Sequence, residues 1–70
     1  MTTEQLNKQR LEWNTKCCKM METILTEFPF LRLGQLMSNI YSDDEMFYEE
    51  PQYTYKRLED FYNKLKANRV

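Results

Sequence analysis

The sequence predicts an all-α fold, a small domain of three helices. Apolar residues recur every three or four positions in both end segments and in a shorter middle segment, which is the spacing of one helical face. Alternating strand patterns are essentially absent. Pro29 and Pro51 fall between the three segments, where prolines end or begin helices. The 70 residues suffice for one small domain, residues 1–70.

A long first helix is expected over residues 3–28. Thr2 and Gln5 have the spacing of a capping box at its start, and Pro29 ends it. At 1.5 Å per residue it would be about 39 Å long, so we expect one end to project or to pack on a second molecule. Two adjacent apolar stripes suit packing against more than one helix. They contain Leu6, Trp13, Cys17, Met20, Ile24 and Phe28, and Leu11, Cys18, Met21 and Leu25.

A short second helix fits residues 31–40, with Asn39 or Ser42 helping to close it. Its apolar face contains Leu33, Leu36, Met37 and Ile40. A third helix fits residues 51–67, since Pro51 suits a first helical turn. Its stripe contains Thr54, Leu58, Phe61 and Leu65, with Tyr55 and Tyr62 beside it. Between these helices, residues 42–50 read as an irregular segment, which we call the acidic-aromatic loop.

Composition argues against several kinds of chemistry. The chain has no histidine, no glycine-rich phosphate loop and little volume for a shielded pocket, so we expect no enzyme, no cofactor and no metal. Cys17 and Cys18 are adjacent, which is unsuited to a disulfide framework, and we expect both to be small core residues rather than a redox pair. Neither a signal peptide nor a membrane-spanning apolar run is visible, which predicts a soluble protein of the reducing cytoplasm.

The middle of the chain carries a family resemblance. Its motifs are Leu31-Arg32-Leu33-Gly34-Gln35-Leu36, then Asn39, then Phe47-Tyr48-Glu49-Glu50. Together they resemble small uncharacterised proteins encoded by bacteria and their phages, over residues 29–58. The resemblance implies a compact helical fold and a phage context. Phe30 and Pro51 depart from that pattern, because both stand where an acidic helix cap is expected.

Arg32, Gly34 and Gln35 are candidates for fixing the register of the fold or for contacting a partner. Glycine inside a helix costs roughly 1 kcal/mol relative to alanine, and close approach by another backbone is the usual compensation. Gln35 could then bond a backbone group of the approaching element, and Arg32 could pair with Asp44 or Glu49 of the loop. The simpler interpretation is that all three hold the fold together.

The acidic-aromatic loop is the main candidate for binding another protein. Its candidate residues are Asp43, Asp44, Glu45, Phe47, Tyr48, Glu49 and Glu50, with five carboxylates within eight positions. Clustered carboxylates can imitate the phosphates of a nucleic acid, and aromatic rings can serve as anchors. The alternative is a solvated loop without function. A calcium site is disfavoured, because the alternate-position ligands and turning glycine of an EF-hand are absent.

Two further hypotheses stay open. In the first, the long helix pairs with a second copy of the chain, with Trp13, Met20 and Met21 at the homodimer seam. In the second, the last helix binds nucleic acid through Lys56, Arg57, Lys64, Lys66 and Arg69, interleaved with Tyr53, Tyr55 and Tyr62. The formal net charge of −1 argues against nucleic acid, since such domains are normally basic.

Overall fold

A computed structural model describes residues 2–42 and 48–68, and these residues form three α-helices and no strand. The helices are α1 (Thr3–Glu27), α2 (Leu33–Ile40) and α3 (Pro51–Ala67). The predicted all-α fold, with a long, a short and a third helix, is therefore confirmed. Within the described ranges, no helix has the length and apolar character needed to cross a bilayer.

The ends of α1 follow from local sequence. Thr2 Oγ1 accepts from the Gln5 backbone N–H at 3.2 Å, while Gln5 Oε1 accepts from the Thr2 backbone N–H at 2.9 Å. The predicted capping box is thus confirmed. Phe28 leaves the helix with φ −124° and ψ 70°, one residue before the predicted end, because a residue that precedes proline is pushed out of helical geometry.

The second helix begins at Leu33, two residues later than predicted. The Leu31 N–H donates to the carbonyl of Phe28 at 3.0 Å, which closes a turn over Pro29 instead of starting a helix. Arg32 is then extended, with φ −92° and ψ 153°, and serves as the N-cap residue. At the other end, Asn39 Nδ2 donates to the Gln35 carbonyl at 2.7 Å, within the last turns of α2.

Contacts at both ends of α1 and α3 show the relative direction of these two helices. Arg10 in the first half of α1 bonds Glu50, directly before α3, and Phe28 at the end of α1 contacts the Tyr62 ring near the end of α3, with 6.4 Å between ring centroids. The two long helices are therefore parallel. α2 connects the two and runs back toward the start of α3. Its last residue, Ile40, accepts a hydrogen bond through its carbonyl from Arg57 Nη1 in the first half of α3.

Each helix contributes one fully buried side chain to the centre of the core. These are Ile24 from α1, Leu36 from α2 and Leu58 from α3. The rest of the buried core consists of Cys17, Phe28, Ile40 and Tyr41. The second apolar stripe of α1 is only partly buried. Its residues Met21 and Leu25 pack against the core, while Leu11 and Cys18 are exposed. Leu33 of the predicted α2 face is exposed as well.

Gly34 has no close neighbour, so the predicted backbone approach is wrong. Within the described part of the chain, and apart from the adjoining helix backbone, no atom lies within 4 Å of the position that a Cβ would occupy. Its φ is also not positive. Nothing in the described structure therefore requires glycine at this position.

We expect Gly34→Ala to stabilise the protein by about 0.5–1 kcal/mol. Alanine restricts the unfolded chain and suits a helix, and here it meets no steric obstacle. Thermal unfolding followed by circular dichroism measures the change. A lower midpoint for the variant would mean that another group occupies the space beside Gly34.

Candidate functional site

The carboxyl end of the acidic-aromatic loop is the described part of the predicted binding site. It consists of Tyr48, Glu49 and Glu50, which connect directly to α3. The remaining candidates, Asp43, Asp44, Glu45 and Phe47, lie outside the described residues. The three described residues differ sharply in their surroundings.

Glu49 lies at the centre of a polar cluster between α2 and α3. Its Oε1 accepts from the hydroxyls of Tyr41 at 2.9 Å and Thr54 at 3.1 Å. Arg57 Nε lies 3.1 Å from Oε1 and 2.9 Å from Oε2, forming an ion pair with the carboxylate. Only 12% of the Glu49 side chain is exposed. Bonds from an ionised donor and two hydroxyls compensate the desolvation of this carboxylate.

Arg57 connects the cluster to the end of α2. Its Nη1 donates to the Ile40 carbonyl at 3.0 Å, one of the carbonyls that a helix end leaves without an intrahelical partner. Its guanidinium carbon lies 4.9 Å from the centroid of the Tyr41 ring. Arg57 therefore holds the end of α2 and the end of the loop against the same turn of α3.

Burial raises the pKa of Tyr41, and the hydrogen bond to Glu49 raises it further, while the contact with Thr54 opposes this change. The hydroxyl therefore remains protonated to higher pH than in the unfolded chain. Its contribution to stability is complete below the usual tyrosine pKa and is lost as the pH rises through the raised value. Tyr41 is thus a neutral structural donor at physiological pH.

Glu50 fastens the loop to α1. Arg10 Nη2 and Nε lie 2.6 and 3.0 Å from its two carboxylate oxygens, a bidentate pair on the surface. The hydrogen bond from Arg10 lowers the pKa of Glu50, with the Arg10 charge adding to it and partial burial opposing it. The stabilisation is therefore present above the usual carboxyl pKa and is lost as the pH falls through the lowered value.

Of the three residues at the carboxyl end of the loop, Tyr48 is the exposed one, with 86% of its surface accessible to solvent. It directly precedes Glu49 and Glu50, whose side chains are both bonded to arginines of the helices. The structure thus brings an exposed aromatic ring next to two anchored carboxylates. The two carboxylates hold the end of the loop, and they are less available to a partner than the sequence predicts.

Arg32 and Gln35 act locally in the described structure. Gln35 Oε1 accepts from the Arg32 backbone N–H at 2.9 Å, so it caps its own helix instead of bonding another element. The predicted pairing of Arg32 with Glu49 is wrong, because Arg57 binds that carboxylate and Arg32 is exposed. The alternative pairing with Asp44 lies outside the described residues.

The two cysteines are in different environments. Cys17 is a buried free thiol whose Sγ lies 3.3 Å from the Pro51 carbonyl, and burial raises its pKa, with Cys18 and Glu49 adding to the effect. A raised pKa disfavours the nucleophilic thiolate, as expected of a core residue. Cys18 is exposed, so its predicted place in the core is wrong.

Several residues of the two alternative hypotheses have intramolecular contacts, and Arg69 lies outside the described residues. Trp13 packs edge-on against Tyr55, with 5.6 Å between ring centroids, and Met20 and Met21 pack against the core. Of the basic residues of α3, Arg57 binds Glu49 and Lys66 lies over the Tyr62 ring. These contacts do not test self-association or nucleic-acid binding, and both stay predictions.

Sequence reasoning missed the Glu49 cluster. The periodicity places Thr54 in an apolar stripe and gives no face to Tyr41. No spacing rule links these residues, because Tyr41 directly precedes the loop and Glu49 lies near its carboxyl end. Within residues 2–42 and 48–68, no buried polar side-chain atom lacks a partner, and no group of three acidic or cysteine side chains could hold a metal.

Comparison with known proteins gives no relative: no family model, no curated protein and no solved structure matches the chain. The resemblance to small bacterial and phage proteins therefore stays a prediction.

Proposed function

We propose that this protein is a non-enzymatic protein–protein interaction module that binds another protein through the acidic-aromatic loop. The observation that carries the proposal is the exposed Tyr48 ring beside the anchored Glu49 and Glu50. A side chain next to a fixed backbone loses less conformational freedom on binding, and tyrosine is enriched at binding hot spots.

Within this proposal, the loop residues have separate roles. Phe47 and Tyr48 are aromatic anchors that become buried against the partner. Asp43, Asp44 and Glu45 supply charge complementarity to a basic surface, in the manner of nucleic-acid phosphates. Glu49 and Glu50 hold the end of the loop in place, since their carboxylates are bonded within the molecule.

More specifically, we propose that the protein is a phage-encoded factor that binds or inhibits a host or defence protein in the host cytoplasm. Its support is the resemblance of residues 29–58 to small bacterial and phage proteins, together with a surface aromatic ring suited to contact. A basic, nucleic-acid-binding surface on the host protein would complement the clustered carboxylates.

The test is capture from a host lysate on the immobilised full chain, followed by affinity measurement with the purified partner. We expect Tyr48→Ala to weaken binding at least about tenfold, as for a hot-spot residue. The triple variant Asp43→Asn, Asp44→Asn, Glu45→Gln is expected to weaken binding most at low salt, because salt screens exposed charges.

Phe30→Ala is the matched control, because Phe30 is also an exposed aromatic residue but lies in the turn between α1 and α2. It should leave the affinity unchanged. Equal partner affinity for wild type, Tyr48→Ala and the triple variant would refute the proposal.

Self-association through α1 is the second candidate, favoured by Leu11, which is 67% exposed on that helix. Light scattering over a range of concentrations distinguishes it: a stable dimer supports self-assembly, and a monomer supports the binding module. The nucleic-acid hypothesis predicts a gel shift that is lost when Lys64 and Lys66 are neutralised.

A further inference from the structure

A second surface lies between the two parallel helices, separate from the loop. It is an open groove of about 320 Å³, lined by Trp13, Lys16, Lys19, Met20, Thr23 and Tyr55. All six residues belong to α1 and α3, and we call this surface the Trp13–Tyr55 groove. α2 contributes nothing to this lining and packs instead near Asn14 and Cys17, where its Met37 shares a cleft with them.

The floor of the groove is apolar and adaptable. Trp13 and Tyr55 pack edge-on at 5.6 Å between ring centroids, and both remain partly exposed. Met20 is also partly exposed beside the core. Tryptophan, tyrosine and methionine are enriched in the cores of protein interfaces, and the flexible thioether adjusts to different partners.

The rim of the groove is positively charged. Lys16 Nζ lies 4.2 Å from the centroid of the Trp13 ring, and Lys19 also lines the groove. No carboxylate is present in the lining, as far as the described residues show. Because the whole chain has a formal net charge of −1, this positive character is local and does not reflect the overall charge.

The geometry suits a helical occupant. The groove follows α1 from Trp13 to Thr23 and borders α3 at Tyr55, and a third helix can lie along it, as in a four-helix arrangement. A helix satisfies its own backbone hydrogen bonds, whereas an extended strand would find no free strand edge on α1 or α3. An apolar stripe on such a helix would cover Trp13, Met20 and Tyr55.

We propose that the Trp13–Tyr55 groove binds an amphipathic α-helix of a partner protein whose apolar stripe is flanked by carboxylates. The carboxylates pair with Lys16 and Lys19, and the apolar stripe covers the aromatic floor. This surface does not depend on the loop, so the two binding sites can be tested separately.

Trp13 is the only tryptophan in the chain, so its fluorescence reports on the groove directly. The probes are two synthetic helical peptides with the same leucine stripe, one flanked by glutamates and the other by lysines. We expect the glutamate peptide to shift Trp13 emission to shorter wavelength in a saturable way, because it removes water from the ring. The lysine peptide should leave the emission unchanged.

A pair of charge-reversal variants tests the role of the rim. Lys16→Glu with Lys19→Glu should weaken binding of the glutamate peptide by about tenfold, because two attractive contacts become repulsive. Lys8→Glu with Lys56→Glu is the control, since these lysines are exposed outside the groove lining and the change in net charge is the same. Circular dichroism checks that both double variants remain folded.

Several results would overturn the proposal: no shift with either peptide, equal binding of both peptides, or equal losses in both double variants. If the protein without peptide doubles its mass as its concentration rises, and Trp13 emission shifts to shorter wavelength at the same time, the groove would be assigned to a second copy instead. Tyr48→Ala should leave glutamate-peptide binding intact. Loss of that binding in Tyr48→Ala would also contradict assignment to the groove.

Discussion

Leu58→Ala is expected to unfold much of the protein at room temperature. Leu58 is fully buried and shares the centre of the core with Ile24 and Leu36. Truncation of such a leucine typically costs about 2–5 kcal/mol. A single core in a domain of this size rarely supplies more than about 3–5 kcal/mol of stability. The loss is therefore comparable to the whole free energy of unfolding. Urea denaturation followed by far-UV circular dichroism measures it.

Leu11→Ala provides the matched control. The chemical change is the same, but Leu11 is exposed on α1, so we expect a change within about 0.5 kcal/mol. A Leu58→Ala protein with the same urea midpoint as Leu11→Ala would contradict the position of the core.

Glu49→Ala is expected to have the second largest effect, a loss of about 2–3 kcal/mol in the free energy of unfolding. The change removes the acceptor of Arg57 and of the hydroxyls of Tyr41 and Thr54. Breaking a buried ion pair by removing one partner typically costs about 3–5 kcal/mol, and the 35% exposure of the Arg57 side chain reduces this here. Chemical denaturation at neutral pH gives the value.

A double-mutant cycle distinguishes the ion pair from simple loss of packing. Glu49→Leu combined with Arg57→Met should be more stable than Glu49→Leu alone, because no charge is then left without its partner. The Tyr41 and Thr54 oxygens, 2.7 Å apart, can still bond each other. Additive effects of the two changes would mean that Glu49 and Arg57 do not interact in solution.

The cluster also links stability to the proposed function. If Glu49 holds the end of the loop, Glu49→Ala should weaken partner binding indirectly, by releasing the backbone beside Tyr48. Tyr48→Ala should weaken binding without a comparable loss of stability, because its ring is exposed and contributes little to the core. Comparing the two variants separates a residue that contacts the partner from one that positions it.

Much of the fold could be predicted because its signals are local. The capping pair Thr2 and Gln5 lies within one helical turn, and Pro29 and Pro51 act on their immediate neighbours. The main stripe of α1 also identified Cys17, Ile24 and Phe28 as buried. Periodicity is less informative at the margins of a stripe, since Leu11 and Leu33 match their stripes but are exposed.

The candidate site was harder to predict. The loop stands out in the sequence by its charge and aromatic residues, and its role in binding stays a prediction. Gly34 illustrates the opposite case, because its place in a helix indicated a close contact that the described structure lacks. The sequence marks Trp13 and Met20 as candidates for contact with a second copy, but it does not place Tyr55 beside them, since helix packing sets which residues of α1 and α3 meet.

The amino-acid order therefore accounts for three helices, their approximate ends and the apolar stripes that contain Ile24, Leu36 and Leu58, because hydrogen bonding and periodicity act over a few residues. The partners of Glu49 and Glu50 were set by how the helices meet. Arg57 and Arg10 reach these carboxylates because α1 and α3 are parallel and α2 returns beside them. An ion pair between residues distant in sequence requires their charged groups to lie within a few ångströms of each other. That separation is set only when the helices pack into the core.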